Sequence, residues 1–139
     1  MPTTEVFLDT SYAIALASPK DQYHGRAEAL AEQLEQNRTR LMTTRAVLLE
    51  IGCALARQRY RSAAVELLDS LEKDPSVEII PLSESLYTRA FQLYRDRPDK
   101  EWSLTDCVSF VVMQDRGLTE ALTTDDHFRQ AGFRALLLE

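Results

Sequence analysis

The chain has 139 residues, of which 45% are hydrophobic and 27% are charged, with only 4 glycines and 5 prolines. This size and composition predict one domain over residues 1–139 with its own hydrophobic core, and they exclude a fibrous or largely disordered chain. The net charge of −6 argues against a protein that coats nucleic acid by broad charge neutralisation, although an acidic enzyme that holds metal ions can still cleave nucleic acid.

Apolar residues recur with the periods of strands and helices along the whole chain. In chain order, the predicted elements are a strand at Val6–Ser11, helices at 11–18 and 21–36, a strand at Arg40–Thr43, helices at 44–57 and 61–73, a strand at Val77–Pro81, helices at 83–94 and 103–116, a strand at Ala121–Thr124, a short helix up to Ala131 and a strand at Arg134–Leu138. The polar stretch Asp96–Lys100 is expected to be a loop. Strands that alternate with helices predict an α/β fold, with a parallel sheet of about five strands and helices on both faces.

Four acidic residues occupy special positions in this pattern. Asp9 and Asp125 each end an apolar strand, and Asp106 lies in the first turn of its helix. Glu50 lies inside the helix after the second strand, between apolar neighbours, so we expect its carboxylate to face the core and to need a partner or a metal. Because parallel strands end at the same edge of a sheet, the four carboxylates are expected to converge there.

Convergent carboxylates repel one another unless some are protonated or hard cations lie between them. Mg²⁺, or Mn²⁺, is the expected occupant of an oxygen-only site, and such a site suits phosphoryl chemistry. The two histidines, His24 and His127, are far apart in the sequence and lack partners with zinc-site spacing.

Each of these carboxylates also has a purely structural interpretation. Asp106 can complete a capping box with Ser103, and Asp125 can be a helix N-cap. Asp9 can cap the helix that follows it, and Glu50 can pair with an arginine. The sequence leaves these alternatives open.

Four segments of the chain resemble the PIN domain, in particular the VapC toxins of bacterial toxin–antitoxin pairs. The matching segments, in the family's order, are Phe7–Ser11, Glu50–Leu55, Ser103–Phe110 and Ala121–Phe128. PIN domains of this kind are Mg²⁺- or Mn²⁺-dependent ribonucleases. The resemblance therefore implies an endoribonuclease that hydrolyses RNA phosphodiesters and leaves a 5′-phosphate and a 3′-hydroxyl.

The resemblance also implies roles for the acidic residues. Asp9 and Asp106 match the principal metal ligands, and Glu50 and Asp125 match the residues that complete the acidic group. The fourth position is relaxed in some relatives, so Asp126 is an alternative to Asp125.

Further residues and partners follow from the same resemblance. Thr10 or Ser11 matches the hydroxyl that holds a ligand or water near the metal. A homodimer is implied, together with a small antitoxin protein that occludes the acidic site. For the phosphate groups of RNA, Arg45 is the best candidate contact, because it lies one residue into its helix on the side of the expected site.

Two other enzyme classes with carboxylates at a sheet edge fit less well. A phospho-receiver domain needs a lysine at a late strand end, and this chain has none there. A dehalogenase-type phosphatase needs an Asp where the chain has Ser11. A non-catalytic PIN module that binds RNA or a protein stays open as the alternative function.

The sequence also predicts where the protein resides. Cys53 and Cys107 lie in apolar surroundings without a C-x-x-C pair, so we expect reduced core residues and a cytoplasmic protein. No signal-peptide pattern and no membrane-length apolar run is present in the sequence, so no contact with a membrane is expected.

Overall fold

The computed structural model describes residues 4–139 and contains, within that range, five strands and seven α-helices. Positions 1–3 of the predicted domain lie outside the described residues. The strands are β1 (Glu5–Leu8), β2 (Arg40–Thr44), β3 (Val77–Ile80), β4 (Glu120–Leu122) and β5 (Arg134–Ala135). The helices are α1 (Thr10–Ala17), α2 (His24–Gln36), α3 (Arg45–Ala54), α4 (Gln58–Lys73), α5 (Glu84–Asp96), α6 (Leu104–Arg116) and α7 (Asp126–Gln130), and a 3₁₀ helix covers Leu136–Leu138.

All five strands are parallel and lie in the order β3-β2-β1-β4-β5. The chain builds the sheet outward from β1 in one direction and then returns to add β4 and β5 on the other side. Because crossover connections are right-handed, this reversal puts helices on both faces of the sheet. The predicted α/β fold with a five-stranded parallel sheet is therefore confirmed. The reversal also creates a crevice between the carboxyl ends of β1 and β4, where open α/β sheets bind their ligands.

The middle of the fold is apolar. The residues of β1 from Val6 to Leu8 are buried, and α6 is buried along the whole run from Asp106 to Met113. A helix that is buried all round must be surrounded by other elements, and α6 contacts both α3 and α5. Within residues 4–139, no helix combines the length and the apolar character that crossing a bilayer requires.

An aromatic cluster fixes the start of α6 relative to α7. The ring of Phe110 meets the rings of Trp102 and Phe128 edge-on, with centroid separations of 5.0 Å in both cases. The indole N–H of Trp102 donates a hydrogen bond to Gln130 Oε1 at 3.0 Å. Edge-to-face pairs of buried rings have defined geometry, so the cluster sets the positions of two helix N-termini at the crevice.

Most element boundaries agree with the prediction to within about three residues, but the last strand was predicted too long. The structure has strand pairing only at Arg134 and Ala135, after which the chain turns into a 3₁₀ helix. Leu136 and Leu137 are both buried. A strand would point these consecutive side chains to opposite faces, whereas the 3₁₀ turn buries both.

The two cysteines differ from each other. Cys107 is buried, as predicted, but Cys53 is exposed, so its prediction as a core residue is wrong. Ala54 is exposed as well. The apolar stripe of α3 therefore ends at Ile51, and the last turn of this helix faces solvent.

Candidate active site

A cleft of about 360 Å³ opens at the carboxyl ends of β1 and β4. All four carboxylates that were predicted to converge line this cleft, and so do the two predicted hydroxyl residues. The lining residues include Asp9, Thr10, Ser11, Glu50, Glu101, Ser103, Asp106, Asp125 and His127. Residues that are far apart in the chain are thus brought together at the switch point of the sheet.

Asp9 is the most deeply buried of the four carboxylates. It occupies the N-cap position of α1, but its side chain makes no capping hydrogen bond, so the interpretation of Asp9 as a helix cap is wrong. Its Oδ2 instead accepts hydrogen bonds from Ser11 Oγ at 3.2 Å and Thr123 Oγ1 at 2.7 Å. Burial raises the pKa of Asp9 to about 7, and the charges of Asp106 and Glu50 add to this rise against the Thr123 hydrogen bond.

Asp106 is both a capping residue and part of the cleft. Its Oδ2 accepts the backbone N–H of Ser103 at 3.0 Å, and Ser103 Oγ accepts the backbone N–H of Asp106 at 3.0 Å. The predicted capping box is therefore confirmed. Burial raises the pKa of the Asp106 carboxyl, helped by the charge of Asp125, while the Ser103 N–H and His127 oppose the rise.

Asp125 caps α7 and also faces the cleft. Its Oδ1 accepts the backbone N–H of His127 at 2.9 Å, so the structural interpretation of Asp125 as an N-cap is also correct. The neighbouring Asp126 does not line the cleft and lies 3.7 Å from the Arg129 guanidinium. Of the two candidates for the fourth acidic position, the structure places Asp125 at the site.

Glu50 reaches the cleft from α3. It is half-buried rather than enclosed in the core, because its neighbours Leu49 and Cys53 are exposed. Within residues 4–139 it forms no ion pair, so the interpretation of Glu50 as the partner of an arginine is wrong. Its charge contributes to the raised pKa of Asp9, which places the two carboxylates within electrostatic reach of each other.

The three aspartates share one arrangement of their oxygen atoms. In each, one oxygen accepts the hydrogen bonds described above, namely Oδ2 of Asp9, Oδ2 of Asp106 and Oδ1 of Asp125. Among the described residues, no hydrogen bond of ordinary length and angle reaches the other oxygen of any of the three. One oxygen of each aspartate is therefore left without a hydrogen bond of this kind, although the backbone N–H of Thr10 also favours the ionised form of Asp9.

This arrangement fits a hard divalent cation. Carboxylate oxygens are the ligands that Mg²⁺ takes from proteins, and a cation removes the repulsion that burial makes severe. Thr10 adds a second polar group at the same place, because its buried Oγ1 has no hydrogen-bond partner among the described residues. Ser11 is engaged differently: its Oγ contacts Asp9 and accepts the backbone N–H of Thr124 at 2.9 Å.

Three residues at the site were missed by the sequence analysis, and one of them, Glu101, is a fifth carboxylate that lines the cleft. His127, which was interpreted as lacking partners, lies with its Nδ1 3.0 Å from Asp106 Oδ2 and 3.3 Å from Asp125 Oδ1. Because an ionised carboxylate only accepts hydrogen bonds, Nδ1 is the donor to Asp106 whenever that carboxylate is ionised. Thr123 is fully buried and holds Asp9. The available signal for His127 and Thr123 was their position, since each lies two residues from Asp125 at the end of an apolar strand.

Arg45, the predicted phosphate contact, is not part of the cleft lining. Its exposed guanidinium pairs with Glu72 of α4 instead. Because Arg45 pairs with Glu72 outside the cleft, the structure gives no support to its predicted contact with a phosphate at the cleft.

The fold and the cleft together define an α/β protein with a candidate acidic metal site at its topological switch point. A sequence model described as the PIN domain matches residues 6–134. The chain therefore belongs to the PIN domain family, and the family predicted from the four sequence segments is confirmed.

Individual relatives agree with this assignment. The chain is 30% identical over 128 residues to the 23S rRNA-specific endonuclease VapC20 of Mycobacterium tuberculosis. The aligned region covers 92% of this chain and 95% of the relative. The crystal structure of VapC20, described as a sarcin–ricin loop cleaving toxin, superposes with a TM-score of 0.81 at 29% identity over the same shares of the two chains. VapBC2 of Rickettsia felis, crystallised with a promoter DNA fragment, gives a TM-score of 0.69 at 13% identity over 95% of this chain and 97% of that chain. At that identity, the second structure shows the shared fold alone.

The raised pKa of Asp9 predicts how the stability of the metal-free protein depends on pH. The folded carboxyl has a pKa of about 7 against an ordinary value of 3.8, so the folded state binds the proton more tightly than the unfolded state. The contribution of Asp9 to the stability of the folded protein is complete below the ordinary pKa of 3.8 and is lost as the pH rises through about 7. Thermal melts in a chelator should therefore show a lower Tm at about pH 8 than at about pH 5.

The Asp9→Asn variant is the control for this effect. It lacks the buried charge, so its Tm should fall much less over the same pH interval and should exceed that of the wild type at about pH 8. A Tm that falls equally in both proteins would contradict the role of Asp9 in this pH dependence.

The contact of His127 predicts a difference between two conservative substitutions. His127→Asn keeps an N–H donor near the position of Nδ1, whereas His127→Gln moves the donor toward the position of Nε2. Calorimetric titration with Mn²⁺ should give near wild-type affinity for the Asn variant and about tenfold weaker binding for the Gln variant, since loss of a group that orients a ligand typically has this effect. Equal affinities of the two variants would argue against an orienting role for Nδ1.

Proposed function

We propose that the chain is a divalent-metal-dependent endoribonuclease that hydrolyses RNA phosphodiesters in the acidic cleft, and that it is the toxin of a VapBC-type toxin–antitoxin pair. The similarity to the endonuclease VapC20 extends over 92% of the chain and supports the nuclease class. The observation that carries the proposal is the set of three aspartate oxygens that are held in place but unpartnered at the switch point of the sheet.

Mg²⁺, or Mn²⁺, is the proposed cofactor. Asp9 and Asp106 are its proposed principal ligands, through the oxygens that accept no hydrogen bond, and Glu50 and Asp125 complete the acidic group directly or through water. When bound, such a cation supplies an activated water and stabilises negative charge on the reacting phosphodiester.

The chain's own residues prepare the site for this cation. Ser11 and Thr123 hold one oxygen of Asp9, and Ser103 and His127 hold one oxygen of Asp106. The remaining oxygens therefore need little reorganisation to bind a ligand. Such preorganised polar groups are the main way in which enzymes stabilise developing charge.

The carboxylates also make RNA binding at the cleft depend on a bound cation. Without a cation, the negative charges of Asp9, Glu50 and Asp106 repel the phosphate backbone of RNA. We therefore propose that productive RNA binding at the cleft depends on the metal, and that the buried hydroxyl of Thr10 contacts a ligand or a water beside it.

Ribosomal RNA is the first substrate to test. VapC20 is a 23S rRNA-specific endonuclease, and we propose a structured RNA of this class as the substrate of the present chain. The alternative function, a non-catalytic PIN module that binds RNA or a protein, is less well supported because carboxylates occupy all four acidic positions of the cleft.

Two protein partners are part of the proposal. A small antitoxin that places a cationic side chain in the cleft would neutralise the same carboxylates as the metal does. A homodimer would cover Leu49, Leu82 and Tyr87, which are exposed and line one apolar cavity. Light scattering of the purified chain, alone and with the product of a neighbouring short reading frame, tests both partners. A cytoplasmic location stays a prediction from the sequence.

Asp106→Asn tests the catalytic proposal most simply. The variant removes one charge from the metal site but keeps an oxygen that can accept the Ser103 N–H, so the capping box should survive. Incubation with purified ribosomes and Mg²⁺ or Mn²⁺, followed by mapping of new 5′ ends, should show wild-type cleavage and a loss of at least about a hundredfold in the variant.

Asp115→Asn is the matched control, because Asp115 lies on the same helix and pairs with Arg89 on the surface. Its cleavage rate should equal that of the wild type. If Asp106→Asn cleaves as fast as Asp115→Asn, Asp106 is not a metal ligand. If the wild type cleaves no RNA with either cation, the non-catalytic alternative replaces the enzyme.

A further inference from the structure

A second cavity, of about 650 Å³, adjoins the acidic cleft. It lies between the end of α5 and the loop that leads into α6. Glu101 and Ser103 line both cavities, so the two are neighbours on the surface. The other side chains of the second cavity are mainly aromatic or cationic, including Phe91, Tyr94, Arg95, Arg97, Lys100 and Trp102.

Two aromatic rings of this cavity are exposed and lie close together. Phe91 is 37% exposed and Tyr94 is 49% exposed, with their ring centroids 6.4 Å apart on one side of α5. Large apolar surfaces that are left in water and grouped together commonly mark a binding site. Aromatic faces of this kind are the platforms on which unpaired nucleobases stack.

Two cationic side chains of the cavity lie over its aromatic rings. Arg97 is fixed by two hydrogen bonds to Asp99, at 3.0 and 2.9 Å, and lies over the Trp102 ring at 5.1 Å. Arg95 lies over the Phe91 ring at 4.8 Å. Within residues 4–139, neither Arg95 nor Lys100 forms an ion pair, although the chain has a net charge of −6. Two positive charges are thus available to an anionic ligand.

We propose that this cavity binds an unpaired nucleotide of the RNA substrate next to the scissile phosphodiester. The base stacks on Tyr94 and Phe91, and the flanking phosphates contact Arg95 and Lys100. The inference rests on the proposed nuclease function, because it assigns the cavity to the strand that enters the acidic cleft. It explains how an acidic protein attracts RNA to this part of its surface, because two cations without acidic partners lie beside the cleft.

The proposal favours RNA over a protein partner because of the combination of groups. An apolar peptide would use the exposed rings but gain nothing from unpaired cations beside them. A phosphodiester chain uses both, since each nucleotide carries one stacking face and one negative charge.

The test measures RNA binding in the Asp106→Asn background, in which cleavage is blocked, with Mg²⁺ at a concentration that saturates the three carboxylates of the proposed metal site that remain. The probe is a short fluorescein-labelled single-stranded RNA of mixed sequence, and its fluorescence anisotropy is followed in Mg²⁺ buffer. Tyr94→Ala should raise the Kd about tenfold, whereas Tyr94→Phe, which keeps the ring, should bind like the parent. A fully paired RNA duplex should bind more weakly than the single strand.

Tyr60→Ala is the matched control for the aromatic ring. Tyr60 is an exposed tyrosine with Arg59 stacked on its ring at 4.7 Å, but it lines neither cavity. Its removal should leave the Kd unchanged. If Tyr60→Ala and Tyr94→Ala weaken binding equally, or if neither weakens it, the cavity is not the nucleotide site.

Lys100→Ala tests the charge separately. It should reduce the slope of log K against log salt concentration by about 0.7, the value for one phosphate of a single strand. Lys73→Ala, a surface lysine at the end of α4, should leave the slope unchanged. An unchanged slope in Lys100→Ala would remove the phosphate contact from the proposal.

The outcomes separate this inference from the proposed function. If the wild type cleaves RNA and Tyr94→Ala binds it normally, the nuclease stands and the nucleotide site falls. If the wild type neither cleaves nor binds RNA, both fall. A change of oligomeric state in Tyr94→Ala, seen by light scattering without a change in RNA affinity, would assign the cavity to contacts between copies of the chain.

Discussion

Mutual repulsion among carboxylates at the cleft is the constraint on which the candidate site depends. Asp9 is buried, and the charges of Asp106 and Glu50 oppose its ionisation, so that its pKa rises to about 7. A fold does not gain stability from placing negative charges together in this way. The arrangement becomes favourable when a divalent cation lies among the carboxylates, as we propose for this cleft.

Two features of the fold hold the carboxylates in place despite their mutual repulsion. The parallel sheet brings the ends of β1 and β4 side by side, which fixes Asp9 and Asp125 relative to each other. The aromatic cluster around Phe110 holds the starts of α6 and α7, and these helix starts carry Asp106 and His127. Capping hydrogen bonds then orient single oxygens. At the starts of α6 and α7, these bonds leave the other oxygen of Asp106 and of Asp125 available to a ligand.

The location of the site could be predicted from the sequence because it depends on local patterns. Apolar strands that end in Asp9 and Asp125, together with alternation of strands and helices, are sufficient to place both residues at one edge of a parallel sheet. Asp106 combines a structural role with a place at the candidate site, since its Oδ2 completes a capping box and the residue also lines the cleft.

The details that depend on tertiary contacts were not predictable in this way. His127 meets Asp106 across 21 positions of sequence, and Thr123 meets Asp9 across 114. Cys53 is exposed because the last turn of α3 faces solvent, and this depends on how α3 packs against other elements of the fold. The last strand was predicted too long because Leu136 and Leu137 have strand-like composition, whereas the burial of both side chains favours a 3₁₀ turn.

We propose above all that the unpartnered oxygens of Asp9 and Asp106 together bind one divalent cation. Crystals of the wild-type chain soaked in Mn²⁺, with data collected for anomalous scattering, test this directly. We expect an anomalous peak at about 2–2.5 Å from Oδ1 of Asp9 and Oδ1 of Asp106. No peak at saturating Mn²⁺, or a peak coordinated only by residues outside the cleft, would contradict it.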